Sequence, residues 1–497
     1  MVNGAGSGWR SEPLWLALVL SVLAALRLWF CAVVELSPDE AYYFAWSERL
    51  DWGYFDHGPL VAWVIRASTA LLGVSEIGVR SGAVVLSLIS AAGIYFVAER
   101  LYGRRVAFWT TLVAAGLPLF SAGAVIHTPD AELSACWIWS AYFALRGMDS
   151  GRTEHWAACG GLAGLGLLAK ASALLVPVGL VLFWLTTSSG RRALLAPGPA
   201  ACLLAVGLVS APYLAWCATH QGGAFSFQFA RVASARGDLL GLPAFLGGQL
   251  GLISPLVWTG TAVFALVGWQ RQARRVRNDI YLLWCLGAPL FFITLALSLV
   301  RRVEANWPGP AYLTLYPALP WLVGGGWYFL KRLKLWSWLA GALALIISLA
   351  IHAQALWPWL PLGPERDPTR QLRGWRELAA RATQLAEAFS AQLAAQGYGP
   401  VSELRFYSGR QVFYLPASFR RSQYDLWPRP QLPSRLLLLL PSASKDVPGV
   451  RDFLRQHCPG EMELLAPPTA GDLRFSRLDD FDWWLCRNHL PFPGEET

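Results

Sequence analysis

The chain has 497 residues, of which 55% are hydrophobic and only 15% charged, against about 25% charged in ordinary soluble domains. With 26 Trp and a formal net charge of +9, this composition excludes a typical soluble globular protein and points to a polytopic membrane protein whose cytoplasmic loops concentrate Arg and Lys. It also argues against a nucleic-acid partner, because no basic stretch alternates with stacking rings outside the apolar runs.

Crossing the hydrocarbon takes roughly 20 apolar residues. On that basis eleven spans are expected, at 14–34, 78–98, 106–126, 131–147, 156–170, 172–187, 198–217, 244–268, 280–299, 311–330 and 336–357. The first lacks a small-residue cleavage site and reads as a retained span. The fifth and sixth meet at Lys170, and fusing them would invert everything after. Charge sets the orientation. With a cytoplasmic N-terminus, the cytoplasmic connectors hold Arg100, Arg104 and Arg105; Arg146 and Arg152; Arg191 and Arg192; Arg271, Arg274, Arg275 and Arg277; and Lys331, Arg332 and Lys334. The opposite connectors are acidic, aromatic or mixed, with Arg231, Arg236, Arg301 and Arg302 as exceptions. This positive-inside pattern favours splitting at Lys170. It places the loop at 35–77, the turn at 127–130, the Lys170 turn, the loops at 219–243 and 301–310 and the tail on the extracytoplasmic face.

Within the first outer loop, residues 59–72 are too short and too interrupted by Arg66 to span, and read as an interfacial amphipathic helix. In the tail, 374–396 has helical periodicity, and 403–407, 411–415, 436–440 and 473–478 look like strands. The expected fold is an α-helical polytopic membrane protein of about eleven transmembrane helices. A transmembrane domain covers 1–357 and a small α/β extracytoplasmic domain covers 358–497. Of the eight Cys, six lie in or at the ends of apolar runs, and no CxxC pair exists. Cys458 and Cys486 share the polar tail, where an oxidising compartment would permit a disulfide. No internal repeat of the kind carried by inverted transporter halves is visible.

The unusual chemistry falls in the outer segments. Ser37–Pro59 sets Asp39, Glu40, Asp51, Asp56 and His57 among Tyr42, Tyr43, Trp46, Trp52, Tyr54 and Phe55. Asp39 and Glu40 read either as interfacial acids marking a loop or as carboxylates at the rim of a low-dielectric cavity, fit for base work. Asp56-His57 precedes a Gly-Pro turn signal. His127-Thr128-Pro129-Asp130 reads either as a helix start with a dipole-facing acid or as a second site acid. Lys170 is either a snorkelling cation or a phosphate ligand. Arg301-Arg302-Val303-Glu304-Ala305-Asn306 offers guanidinium forks for a phosphate, or for the first-loop acids, and an amide for a sugar hydroxyl. Gln228, Arg231 and Arg236 are weaker candidates of the same kind. Asp39, Asp56 and Asp130 are the oxygen ligands that a divalent cation, Mg or Mn, would use, although no ligand spacing demands one.

The pieces SPDEAYYFAWSERLDWGYFDHGPLVAW, HTPDAEL, GLLAKASALLVP, RRVEANWPGPAYL and SELRFYSGRQVFYLP together resemble the GT-C superfamily of integral-membrane glycosyltransferases, in the bacterial branch of protein O-mannosyltransferases and the lipid A aminoarabinose transferase. The resemblance implies transfer of a sugar from a polyprenyl-phosphate donor to lipid A, another glycan or a protein, at the periplasmic face of the inner membrane. It implies catalytic roles for Asp39, Glu40 and Asp130. Tyr42, Asp56, His57, His127, Lys170, Arg301, Arg302, Glu304 and Asn306 are the expected substrate contacts. His57 stands where the aminoarabinose transferase has Lys, a departure that weakens aminoarabinose as the sugar. The competing expectation is a transporter or flippase of a lipid-linked sugar.

Overall fold

The computed structural model describes residues 12–220, 241–270, 276–322, 327–363, 366–415, 420–428, 433–442, 458, 461–465 and 477–487. Gln228, Arg231 and Arg236 lie outside the described residues, as does most of the strand expected at 473–478. The chain divides into two units, one of Met1–Cys31 with Leu50–Ala353 and one of Ala32–Arg49 with Gln354–Thr497.

The first unit is helical. Among the described residues five helices are long and apolar enough to cross a membrane: Pro13–Val33, Glu76–Tyr102, Pro197–Thr219, Asn278–Ser298 and Leu335–Leu356. Of the other expected spans, several are broken. The run at 106–126 splits into Arg104–Gly116 and Pro118–Ala122, because Pro118 cannot donate the hydrogen bond that would continue the helix. The run at 172–187 opens with a single tight turn, Ala171–Leu174, before Leu175–Thr186. The run at 244–268 is two helices, Gly241–Ile253 and Pro255–Val267, bent by 115°, with Pro255 at the break and Ser254 in the left-handed region at φ 64°. Counting that pair as one gives up to six candidate spans, where the sequence suggested eleven. The helix expected at 59–72 runs from Leu60 to Leu72, buries Val61, Ala62 and Ile65, and leaves Leu71 and Leu72 exposed. The core gathers Trp137, Ile138, Phe183, Trp184, Tyr312 and their neighbours.

The second unit holds a five-stranded sheet in the order β2-β1-β3-β5-β4. Its strands are β1 (Gln392–Gln396), β2 (Val412–Leu415), β3 (Arg435–Pro441), β4 (Glu461–Leu465) and β5 (Phe481–Arg487). β1 pairs in parallel with β2 and β3, and β5 runs antiparallel to β3 and β4. Leu436–Leu440 of β3 are all buried, as a central strand packed on both faces requires. Two expectations change here. The tail helix stops at Ala388, not 396, because Leu393–Gln396 are buried in the sheet and tertiary burial overrides their helix propensity. The strand expected at 403–407 lies in a helix, Tyr398–Ser408, ended by Gly409 in the left-handed conformation.

Residues 32–49 group with the tail and not with the spans that flank them in sequence. The helix Pro38–Ser47 explains this. Its residues from Glu40 to Ser47 are buried, Phe44 meets Phe406 edge-on at 5.1 Å, and Glu48 pairs with Arg405 at 2.8 Å.

Cys458 and Cys486 form a disulfide across 28 residues of chain. Closing a loop of that length removes about 3–4 kcal/mol of unfolded-chain entropy. Reduction by dithiothreitol, or a Cys458→Ser, Cys486→Ser double variant, should therefore lower the melting temperature of this unit by several degrees. An unchanged melting curve would refute the linkage.

Candidate active site

In the first unit three separated segments converge on one carboxylate. Asp130 lies in the first turn of the helix Pro129–Ser150, where Pro129 needs no hydrogen-bond partner and the helix dipole favours an anion. Lys170 sits where the helix Thr153–Ala169 breaks, in an extended conformation at φ −152° and ψ 139°. Its Nζ donates to Asp130 Oδ1 at 2.8 Å, and Asn306 Nδ2 donates to Asp130 Oδ2 at 3.0 Å. The Lys170 and Asp130 side chains are 19% and 22% exposed, so water or a ligand can reach the pair. The ammonium is held in place by a carboxylate yet has donors to spare for a second anion.

The Asp56-His57 turn is placed beside this break by Gly58. A Cβ at Gly58 would lie 2.1 Å from the carbonyl oxygen of Leu168, two residues before Lys170. Asp56 is buried and His57 half-buried. The turn is closed by Tyr54 N–H donating to the His57 carbonyl at 3.1 Å, and burial holds the Tyr54 phenol above its ordinary range. Gly58→Ala should displace the turn: the backbone carbonyl it would strike cannot rotate away. The variant is expected to lose about 1–3 kcal/mol of stability, the usual cost of overpacking, read as a lowered melting temperature in detergent.

In the 301–306 segment, the Arg301 guanidinium lies 5.6 Å from the Trp307 ring centre, and its Nε donates to the Arg302 carbonyl at 3.3 Å. Arg302 and Glu304 are exposed.

His127 corrects an expectation. It is fully buried, with Nδ1 2.6 Å from the Val79 carbonyl and Nε2 2.8 Å from Glu132 Oε1. A carbonyl only accepts, so Nδ1 carries a hydrogen. Both ring nitrogens are engaged internally, and His127 is a latch on the turn that carries Asp130, not a substrate contact. Sequence reasoning missed Glu132; the only available signal was a second acid five residues after His127.

In the second unit, Glu40 and Tyr42 are likewise structural. Glu40 is completely buried. Its carboxylate accepts from Ser37 N–H at 2.9 Å while Ser37 Oγ accepts from Glu40 N–H at 3.5 Å, a reciprocal capping box. The buried Tyr42 hydroxyl accepts from Gln423 N–H. Asp39, just before Glu40 in sequence, is exposed and accepts from the Tyr398 hydroxyl at 2.9 Å. Nothing in the sequence linked Tyr398 to Asp39 across 359 residues. Asp39 thus falls in the second unit and Asp130 in the first.

The three acids named for a divalent cation are divided between the units, Asp39 in the second and Asp56 and Asp130 in the first. Among the described residues no group of three His, Cys, Asp or Glu side chains is arranged as a metal site. Each Asp130 oxygen already carries a donor, one of them an ammonium.

Residues 56–216 match the family model of dolichyl-phosphate-mannose-protein mannosyltransferases. The chain is 27% identical over 425 residues to a lipid A galacturonosyltransferase of Rhizobium johnstonii, covering 82% of this chain and 86% of that one. The chain is a glycosyltransferase and resembles those of the GT-C type. The transferase is also 26% identical over 314 residues to an undecaprenyl phosphate-alpha-4-amino-4-deoxy-L-arabinose arabinosyl transferase of Erwinia tasmaniensis, over 56% of this chain and 55% of that one. Its fold is shared with ArnT of Cupriavidus metallidurans, solved bound to undecaprenyl phosphate. There the TM-score is 0.65 at 17% identity, covering 97% of this chain and 98% of that one.

Proposed function

We propose that the transferase moves a sugar from a polyprenyl-phosphate donor to an envelope glycolipid of the lipid A class, at the extracytoplasmic face of the inner membrane. The observation that carries this reading is the convergence of Asp130, Lys170 and Asn306. It offers an oriented ammonium for a phosphate and an amide for sugar hydroxyls. The relatives named above act on lipid A or on undecaprenyl-phosphate-linked sugar. The Cys458–Cys486 disulfide supports an oxidising compartment for the tail.

In this reading Asp39 takes the proton of the acceptor hydroxyl as its oxygen attacks the anomeric carbon. The carbon–oxygen bond to the donor phosphate breaks, and the polyprenyl phosphate leaves with that electron pair. Lys170, Arg301 and Arg302 stabilise the charge that develops on it, an electrostatic role that can supply much of a rate enhancement. Asp56, His57, Glu304 and Asn306 orient sugar and acceptor hydroxyls. Glu40 assists through the capping box that fixes the turn carrying Asp39.

The test is transfer of label in reconstituted nanodiscs, with radiolabelled galacturonosyl- and aminoarabinosyl-polyprenyl phosphates offered together with lipid A. Label on lipid A with release of polyprenyl phosphate is the expected result. Label that crosses a proteoliposome bilayer still attached to its polyprenyl phosphate would replace this reading with a flippase.

A further inference from the structure

The first-loop acid is held by a residue of the tail, and the surroundings of that contact are built rather than incidental. The Tyr398 hydroxyl donates to Asp39 Oδ1 at 2.9 Å. Tyr398 opens the helix Tyr398–Ser408. The next residue, Gly399, would carry a Cβ only 2.9 Å from the Pro38 ring, so this helix start can approach the start of Pro38–Ser47 only with glycine there. The Tyr398 ring lies 4.6 Å from that of Tyr42, and Tyr42 is in turn tied to Gln423 N–H. On the Tyr398 ring the Arg420 guanidinium sits 4.7 Å from the centroid. A cation over the ring draws electron density from the phenol and makes its O–H a better donor to a carboxylate.

We propose that Tyr398 is a positioning residue for Asp39: its hydroxyl holds Oδ1 and so fixes the orientation of the carboxylate. The proposal rests on the reading of Asp39 as the base. It gives the tail unit a part in the transfer step itself, through one hydrogen bond. General-base catalysis depends on holding the base within hydrogen-bond reach of the proton it removes, and a small misplacement costs rate more than binding.

The variant that isolates this bond is Tyr398→Phe, which keeps the ring, its contact with Tyr42 and its place beneath Arg420. Tyr414→Phe is the control, since the Tyr414 hydroxyl belongs to the same aromatic group but bonds Asp425 at 3.1 Å. Tyr398→Phe should lower kcat about tenfold, the loss of one charge-assisted hydrogen bond. The KM for the lipid-linked donor should stay within about twofold and the melting temperature close to wild type. In an Asp39→Glu background, where the carboxylate oxygens are displaced from the hydroxyl, the same change should cost less than about twofold, because coupled residues are not additive. Wild-type kcat in Tyr398→Phe, or an equal loss in both backgrounds, would overturn the proposal and leave the base assignment intact. Wild-type turnover by Asp39→Asn would instead remove the base assignment, and the proposal with it.

Discussion

Asp39→Asn is expected to lower kcat by about 100- to 10,000-fold, the range a general base contributes, with the donor KM little changed. Asparagine keeps the shape and can still accept from the Tyr398 hydroxyl, so the helix should fold. Asp39 is exposed in the first turn of Pro38–Ser47 and neither caps the helix nor packs in its core; Glu40 and Ser37 do the capping. A loss of activity therefore cannot be blamed on the cap. The measurement is single-turnover transfer with saturating donor, compared with circular dichroism of the same preparation. Full activity in Asp39→Asn would transfer the base role to another group.

Lys170→Met should have the second-largest effect, and for a different reason. Removing the ammonium takes away a cation proposed for the leaving phosphate and also leaves Asp130 without its charge partner. Breaking a fully buried pair costs about 3–5 kcal/mol. Here both side chains are about one-fifth exposed, and solvent screening reduces the penalty. The single variant should thus melt earlier and turn over at least about 100-fold more slowly, the scale of losing one preorganised electrostatic contact. The double variant Lys170→Met, Asp130→Asn removes the stranded charge, and its melting temperature should return most of the way. Its activity should not. Recovery of both together would mean that Lys170 only neutralises Asp130 and has no part in phosphate handling.

The segments around Lys170 and Asp130 stood out in the sequence because their residue types are expensive beside apolar runs. A Lys inside LGLLAKASALLVP and an acid behind a Pro at a helix start each called for a partner, and the structure makes them partners of one another. Asn306, read from the sequence as an amide for a sugar hydroxyl, joins them by donating to Asp130. What the residues could not reveal was direction. Glu40, Tyr42 and His127 have the same chemistry as site residues, and only the fold shows their polar atoms turned inward, onto Ser37, Gln423, and Val79 with Glu132. Hydropathy and charge found the apolar runs and the break at Lys170, but not where Pro118 and Pro255 break the runs at 106–126 and 244–268. In the tail, local propensity failed where tertiary burial decides: the strand Gln392–Gln396 is written in helix formers, and its neighbours in the sheet overrule them.

The grouping of residues 32–49 with the tail has a temporal consequence. Ribosomes deliver the chain from its N-terminus at about 5–20 residues per second, so the helix bearing Asp39 emerges early and then waits. The hydrogen bonds that fix it come from residues made last: Leu36 N–H to the Tyr407 hydroxyl spans 371 residues, and Gln423 N–H to the Tyr42 hydroxyl spans 381. Contacts of such sequence separation form late. The spans can insert one after another while this short helix lacks its folding partner. A nascent or truncated chain ending near residue 350 would therefore insert without ordering the helix Pro38–Ser47. Synthesis of the tail as far as Gln423 would act as a checkpoint, so that catalytic competence arrives only once the residues that hold this helix have been made.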